Sequence, residues 1–449
     1  PASSWSLRPA SSASASAGVS RSSTPADADA LLAGLSDQLE AGRPAAWRPA
    51  DMGARYAGLS RGVVGFHAQI KRVRSRFKLG QDERASEFAD ILRALAALGG
   101  GELRQWMQRF GQARALDLPA LPGPAPAPLD PQVKRFVDEV MAQSRQLAGG
   151  RALDWPARRQ IAETTRRPWR QGGPQPARRE DLVADTEAGP VRLRLFDPAP
   201  GASKPTLVYL HGGGWAMFSL DTHERLMREY AARAGMAVVG VDYALAPEHR
   251  YPFALNQVVG VVRWLRAHAA AHGLDAQRLA LGGDSAGAAL SVGAALKLRD
   301  AGEGDAVKAI LSNYGGFGPE VGSAARLRYG TEQDMLSAAE IDEFWDTYVG
   351  HVEDRCDSYA VPLLADLRGL PPVFLVVAEC DVLAEQSLQL GGALLAARVP
   401  VRIEVYPGAS HSFIEAMAVS ALANRAIDDG VAWLRERLGA VGQPREHAA

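Results

Sequence analysis

The sequence predicts an α/β architecture built on a mostly parallel central sheet with helices on both faces, and three features of the chain point to it. From about residue 181, short aliphatic runs recur: VRLRLF (191–196), TLVYL (206–210), AVVGVDY (237–243), RLALGG (278–283), AILSNY (309–314), VFLVVAE (373–379) and VRIEVY (401–406). Most of these runs lack polar alternation, as strands covered on both faces do. Helix-like stretches separate them, which is the alternation expected of a layered α/β sheet. The run at 278–283 breaks into Gly283-Asp284-Ser285-Ala286-Gly287 and restarts as an Ala-rich helix, a sharp strand–turn–helix junction.

Composition bounds the rest. A chain of 449 residues exceeds one ordinary core and predicts two or three units. An apolar content of 47% with 22% charged residues is that of a soluble globular protein, and a net charge of -1 gives no reason to expect a nucleic-acid or membrane-surface partner. The basic residues of RRQIAETTRRPWRQGG (158–173) read as solvated faces, because no aromatic-interleaved basic motif accompanies them. Two cysteines, Cys356 and Cys380, are too few for a disulfide framework, so reduced thiols and a cytoplasmic location are expected, with no redox role. No window has the length of uninterrupted apolar residues that a membrane span needs, and no fixed-period repeat suggests a solenoid or propeller.

Taken in order, residues 1–26 lack both a Met and an apolar signal core and read as a disordered tail, as do 440–449. Residues 27–115 read as a small α/β extension: helices near 27–42 and 87–98 flank a half-buried strand marked by Val64, Phe66 and Ile70. A Pro/Ala-rich linker, 116–129, follows, because its prolines support neither a helix nor a ladder. Asp130 is placed as an N-cap and Pro131 at the first helical position, with Val133, Phe136, Val137 and Val140 on one apolar face. Further helices are expected at 221–234, with Asp221 and Glu224 forming a capping box, and at 252–271.

The glycine-fenced serine sets the chemistry. Gly283 and Gly287, two residues either side of Ser285, remove the Cβ atoms that would collide in such a turn and present the hydroxyl at a helix N-terminus. A serine hydroxyl needs a base, and the base needs an orienting carboxylate. His411 lies in a loop after the last strand, in PGASHSF, and Asp381 stands at the tip of VFLVVAEC, the edge where open α/β sheets bind ligands. Glu379 is the competing acid, and Asp381 is preferred because it lies past the strand end. Taken singly, these residues read as a helix-capping serine, a surface histidine and a helix-capping aspartate; the chain order Ser285, Asp381, His411 makes them a candidate triad. His211-Gly212-Gly213-Gly214 follows a buried strand, so the N–H groups of Gly213, Gly214 and Ala286 are candidate oxyanion donors, with His211 bracing the loop. This chemistry requires no metal or organic cofactor.

With HGGGW, GDSAG, DYALAPEHRYP, AECDVL and YPGASHSF in place, residues 130–439 resemble the bacterial hormone-sensitive-lipase-like α/β hydrolases, and most closely their acetyl esterases. The resemblance implies an α/β-hydrolase catalytic domain over 181–439. It also implies a helical cap over 130–180 and a second cap segment near 317–358, where LSAAEIDEFWDTYVG reads as a capped helix. It further implies a serine carboxylesterase acting on small-molecule esters with short acyl groups. Acyl transfer or lactone opening from the same acyl-enzyme, a non-catalytic ligand-binding role and homo-oligomerisation stay open. Two departures stand out: DVL in place of Asp-Pro-Leu, and Ser412 where the family has Gly after its histidine. Residues 27–111 resemble the C-terminal part of PaiB-type FMN-binding split-barrel proteins. The half expected to carry the flavin contacts is absent, so no flavin site is carried over, and a packing or dimerising extension is the competing reading.

Overall fold

The computed structural model describes residues 127–439, apart from 200 and 202, together with two-residue strands at 20–21 and 66–67. The chain divides into two units, 1–121 and 122–449. In the first, Ser20–Arg21 pairs antiparallel with Phe66–His67. Ser20–Arg21 falls within the 1–26 tail expected to be disordered, which is corrected at those two residues; the other expectations for the N-terminal extension and for both tails lie outside the described residues.

The second unit is built on an eight-stranded sheet. Its strands are β1 (Arg178–Thr186), β2 (Gly189–Asp197), β3 (Lys204–Leu210), β4 (Ala237–Asp242), β5 (Leu274–Asp284), β6 (Ala309–Asn313), β7 (Val373–Cys380) and β8 (Val401–Ser410). The spatial order is β8-β7-β6-β5-β3-β4-β2-β1. Strands β3 to β8 pair in parallel, whereas β2 runs antiparallel to both β1 and β4. The parallel strands are covered on both faces, which explains their unbroken aliphatic character. In β3, Leu207 and Tyr209 enter the core beneath helices α1 (Pro131–Ala148), α3 (Glu224–Ala234) and α9 (Ala421–Leu438). Val208 and Leu210 enter the opposite core, beneath α4 (Phe253–His268), α5 (Ala286–Asp300) and α8 (Ala384–Ala396).

Helix α1 forms as its sequence implies. Asp130 Oδ1 accepts from the N–H of Gln132 at 2.9 Å and of Val133 at 3.1 Å, and Val133, Phe136, Val137 and Val140 are buried. The Asp130 N–H donates to Gly408 O at 2.9 Å, pinning the start of the helix to β8 just before His411. A second helix, α2 (Trp155–Arg166), follows, capped by Asp154. The 317–358 insertion carries α6 (Ser323–Tyr329) and α7 (Ala338–Tyr348), and α7 opens with a complete capping box between Ser337 and Glu340.

Two expectations are corrected. Strand structure starts at Arg178 and includes β1, which the sequence left unmarked because its residues alternate between half-buried and exposed at a sheet edge. The Asp221–Glu224 capping box does not form. Both carboxylates instead bind the buried Arg194 guanidinium, at 2.6 and 2.8 Å from Nη1, and α3 starts without a side-chain cap. A buried cation demands paired oxygens more strongly than a helix end demands a cap. Among the described residues no helix is long and apolar enough to cross a membrane.

Replacing Asp130 by Ala removes the cap of α1 and is expected to lower stability by about 1 kcal/mol. Urea unfolding followed by circular dichroism should show the midpoint falling with the slope unchanged.

Candidate active site

Ser285 sits in a backbone conformation with φ 52°, between the end of β5 and the first residue of α5. This left-handed geometry is strained for a side chain with a Cβ, and it is held because the turn is pressed against strand β3. A Cβ on Gly283 would lie 2.4 Å from the Leu210 carbonyl oxygen, and one on Gly287 would lie 1.9 Å from the same atom. Both glycines flanking the serine are therefore required by a single carbonyl at the end of β3. The Ser285 N–H donates to Asn313 O at 2.9 Å, tying the turn to β6 on its other side.

His411 follows the last residue of β8, and the chain turns at Ser412, which has φ 60°. The imidazole Nε2 lies 3.0 Å from Ser285 Oγ, and Nδ1 lies 2.8 Å from Asp381 Oδ2. These contacts are satisfied when Nδ1–H donates to the carboxylate and Nε2 accepts from the hydroxyl. The other Asp381 oxygen accepts from the Leu383 N–H at 3.0 Å, which fixes the carboxylate plane. Glu379 takes no part in this line; it accepts from the Gly408 N–H at 2.9 Å. All three members of the line are buried. Burial alone disfavours the imidazolium, but the charge and hydrogen bond of Asp381 outweigh it, with Asp284 and Glu415 adding. The His411 pKa therefore stands above its ordinary value.

The glycine loop after β3 is held from behind. Asp284 Oδ1 accepts from the Gly212 N–H at 3.1 Å and from the Tyr209 hydroxyl at 2.9 Å. A Cβ on Gly212 would lie 2.4 Å from Asp284 Oδ2. His223 Nε2 donates to that oxygen at 3.3 Å. His223 Nδ1 lies 2.9 Å from the Thr222 hydroxyl, which in turn is 2.8 Å from Ser219 O. The protonated ring would donate from both nitrogens. Burial opposes that charge on His223, yet Asp284 outweighs it and raises the pKa. Burial likewise opposes the Asp284 carboxylate, and His223 outweighs it. His211 behaves differently. Its Nδ1 donates to Gly212 O at 2.7 Å and its ring stacks on Tyr243 at 4.4 Å. Burial, followed by the charge of His223, lowers its pKa to about 4, so it stays neutral and braces the loop. Arg159 of α2 clamps the next turn, donating to Ala216 O and Ala246 O at 2.8 Å each.

Gly213 and Gly214 adopt φ 109° and 58°, and a Cβ there would strike Met217 O at 2.3 Å or the Phe344 ring at 2.2 Å. Neither of their N–H groups, nor that of Ala286, donates to a backbone carbonyl outside regular helix and strand pairing. These residues, Ser285 and His411 line one cavity of about 300 Å³. Its other walls are mostly apolar: Val140 and Met141 come from α1, Ile161 and Ala162 from α2, and Met335, Ile341, Phe344 and Trp345 from the insertion, with Arg158, Thr165, Arg166 and Glu340 as polar members. Cys380, next to Asp381, is buried and its Sγ donates to Ala127 O; burial pushes its thiol up to about 11, which makes it a poor nucleophile.

The structure thus places Ser285, His411 and Asp381 in one hydrogen-bonded line with Gly213, Gly214 and Ala286 on the same cavity as Ser285 and His411, leaves Glu379 outside it, and adds several residues that the sequence did not mark. Asp284 was recognised only as part of a motif, and His223 and Tyr209 not at all. Arg166, which lines the cavity, pairs with Glu415, a partner 249 residues away that no local pattern signals.

Residues 207–415 match the family model for the alpha/beta hydrolase fold. An acetyl esterase of Salmonella paratyphi B is 35% identical over 319 residues, covering 69% of this chain and 97% of the relative. An acetyl esterase of Salmonella typhi matches with the same identity and coverage. Among solved structures, the hyperthermophilic esterase of the archaeon Pyrobaculum calidifontis superposes with a TM-score of 0.65 at 30% identity, covering 69% of this chain and 98% of its own. A thermostable carboxylesterase cloned from a metagenomic library superposes with a TM-score of 0.61 at 29% identity, covering 65% of this chain and 99% of its own. The chain belongs to the acetyl esterase family of hormone-sensitive-lipase-like α/β hydrolases and is a carboxylic ester hydrolase.

Proposed function

We propose that this protein is a serine carboxylesterase that hydrolyses esters of short, acetyl-like acyl groups through a covalent acyl-enzyme, with Ser285 as nucleophile, His411 as general base and acid, and Asp381 as the orienting carboxylate. The observation that carries this reading is the unbroken line from Ser285 Oγ through both imidazole nitrogens to Asp381, at 3.0 and 2.8 Å, opening on an apolar cavity.

In the first half-reaction Ser285 Oγ attacks the ester carbonyl carbon as its proton passes to His411 Nε2. Asp381 stabilises the resulting imidazolium. The oxyanion is received by the free N–H groups of Gly213, Gly214 and Ala286, donors typically worth about 3 to 4 kcal/mol each in the transition state. The tetrahedral species collapses as His411 returns the proton to the departing alkoxide, and the alcohol leaves. In the second half, water attacks the acyl carbonyl while giving a proton to His411; the second tetrahedral species collapses by breaking the bond to Ser285 Oγ, which takes that proton back from His411 as the carboxylic acid leaves.

Helices α1 and α2 and the 317–358 insertion act as the cap over this site, which their side chains on the cavity wall support. Phe344, packed directly on Gly214, limits the room beside the proposed oxyanion donors and favours short acyl chains. That relatives are named acetyl esterases supports the same preference.

Turnover of p-nitrophenyl acetate should fall by about a millionfold in Ser285→Ala, the order seen when a triad nucleophile is removed. Labelling by a serine-directed organophosphate should vanish with it, and a variant that still hydrolyses at the wild-type rate overturns the assignment. Because His411 accepts a proton only when neutral, and its pKa is raised, kcat/KM should drop as pH falls through a midpoint above the ordinary histidine value of about 6.5. A profile that stays flat down to pH of about 5 would exclude His411 as the base. Across p-nitrophenyl esters from acetyl to dodecanoyl, activity should decline with chain length. Phe344→Ala should raise kcat/KM for the longer esters about tenfold relative to acetate, the scale of a lost apolar clash.

A further inference from the structure

Arg166, the last residue of α2, is buried at the point where several parts of the site meet. Its Nε donates to Glu415 Oε2 at 3.0 Å, and both side chains are more than nine-tenths buried. The guanidinium carbon stands 4.9 Å from the centre of the Phe218 ring, just beyond the glycine loop, and Nη2 reaches Met335 Sδ of the insertion at 3.8 Å. The same side chain lines the cavity that holds Ser285 and His411.

Glu415 lies four residues after His411, in the 3-10 turn Phe413–Ala418. That turn is closed by the Glu415 N–H donating to Ser412 O at 3.0 Å, and Ser412 is the left-handed residue adjoining His411. A shift of the Glu415 carboxylate is therefore passed to the imidazole through one short, hydrogen-bonded turn. Stability alone is a weak reason for this pair. Desolvating two charges cancels most of their attraction, and an apolar pair of the same volume holds a fold as well. Among the described residues Glu415 Oε1 is moreover buried without a hydrogen-bond partner, so the contact with Arg166 is what holds the carboxylate there.

We propose that Arg166 is a positioning residue for the reaction: through Glu415 it holds the turn that keeps His411 within reach of Ser285, so that helix α2 completes the base as well as covering the site. This rests on His411 being the general base.

The test compares Arg166→Met, Arg166→Lys, Glu415→Gln and the double variant Arg166→Met/Glu415→Leu with wild type and Ser285→Ala. It measures kcat and KM for p-nitrophenyl acetate and urea unfolding of each protein. In the double variant no charge is left unpaired, so its unfolding midpoint should match wild type. Its kcat should nevertheless fall about a hundredfold, the loss expected from a misplacement of about 1 Å, with KM within about twofold. Arg166→Lys and Glu415→Gln, which keep a hydrogen bond across the pair, should retain more kcat than Arg166→Met. If Arg166→Met proves unfolded, the double variant and Glu415→Gln decide the matter. Wild-type kcat in the double variant overturns the proposal, as does a loss confined to KM. A Ser285→Ala protein as active as wild type would instead overturn the underlying triad reading, so the two failures are told apart.

Discussion

The contact on which the site depends is the approach of the Ser285 turn to the Leu210 carbonyl at the end of β3. Two glycines, 283 and 287, have no room for a Cβ against that one oxygen. The serine is consequently forced to a positive φ, with its hydroxyl turned out of the sheet toward the cavity. The same carbonyl belongs to the residue that leads into the His211–Gly214 loop. One backbone approach therefore sets the distance between the proposed nucleophile and the N–H groups proposed to receive its oxyanion. Nothing larger than glycine fits at either flanking position, and nothing flexible is involved, so the geometry is present before substrate arrives.

Two buried carboxylate–histidine pairs flank this turn and divide the labour. Asp381 and His411 stand in front of Ser285, where a neutral imidazole with an open Nε2 is needed to take a proton. Asp284 and His223 stand behind it, where the carboxylate raises the imidazole pKa against the effect of burial. That second pair moves no proton in the proposed reaction. Its carboxylate instead receives the Gly212 N–H and the Tyr209 hydroxyl, anchoring the glycine loop to the residue next to the nucleophile. The pairs differ in what the far ring nitrogen meets: the Ser285 hydroxyl on the cavity wall in one case, and the Thr222 hydroxyl, itself 2.8 Å from Ser219 O, in the other.

The helices preceding the sheet are joined to the catalytic layer by polar contacts as well as by packing. Arg159 binds two carbonyls of the loops after β3 and β4, the Asp130 N–H is tied to β8 before His411, and Arg166 reaches the turn after it. Each contact ends on a segment that carries or adjoins a site residue. A cap attached in this way shapes the cavity and also fixes loops that the sheet alone leaves free at its carboxyl edge.

The sequence by itself determined the sheet core and the caps of α1 and α7, and it marked Ser285, Asp381, His411 and the glycine loop as the candidate site. Each of these is written locally: in an apolar run, in a side chain two or three residues from its backbone partner, or in glycines at the spacing a tight turn demands. It also preferred Asp381 to Glu379 because only the former lies past the strand end, and Asp381 is the carboxylate that meets the imidazole. Tertiary structure decided the rest. Strand β1 was hidden by its edge position, where one face is wet and, Val183 apart, carries charged residues. Asp221 and Glu224 look like a cap until Arg194, brought in from β2, takes both oxygens. Arg166 and Glu415, like His223 and Asp284, are ordinary charged residues in sequence, far apart along the chain. Only the folding of helix and loop onto one edge of the sheet buries them together, and burial is what turns a surface charge into a contact with a required partner.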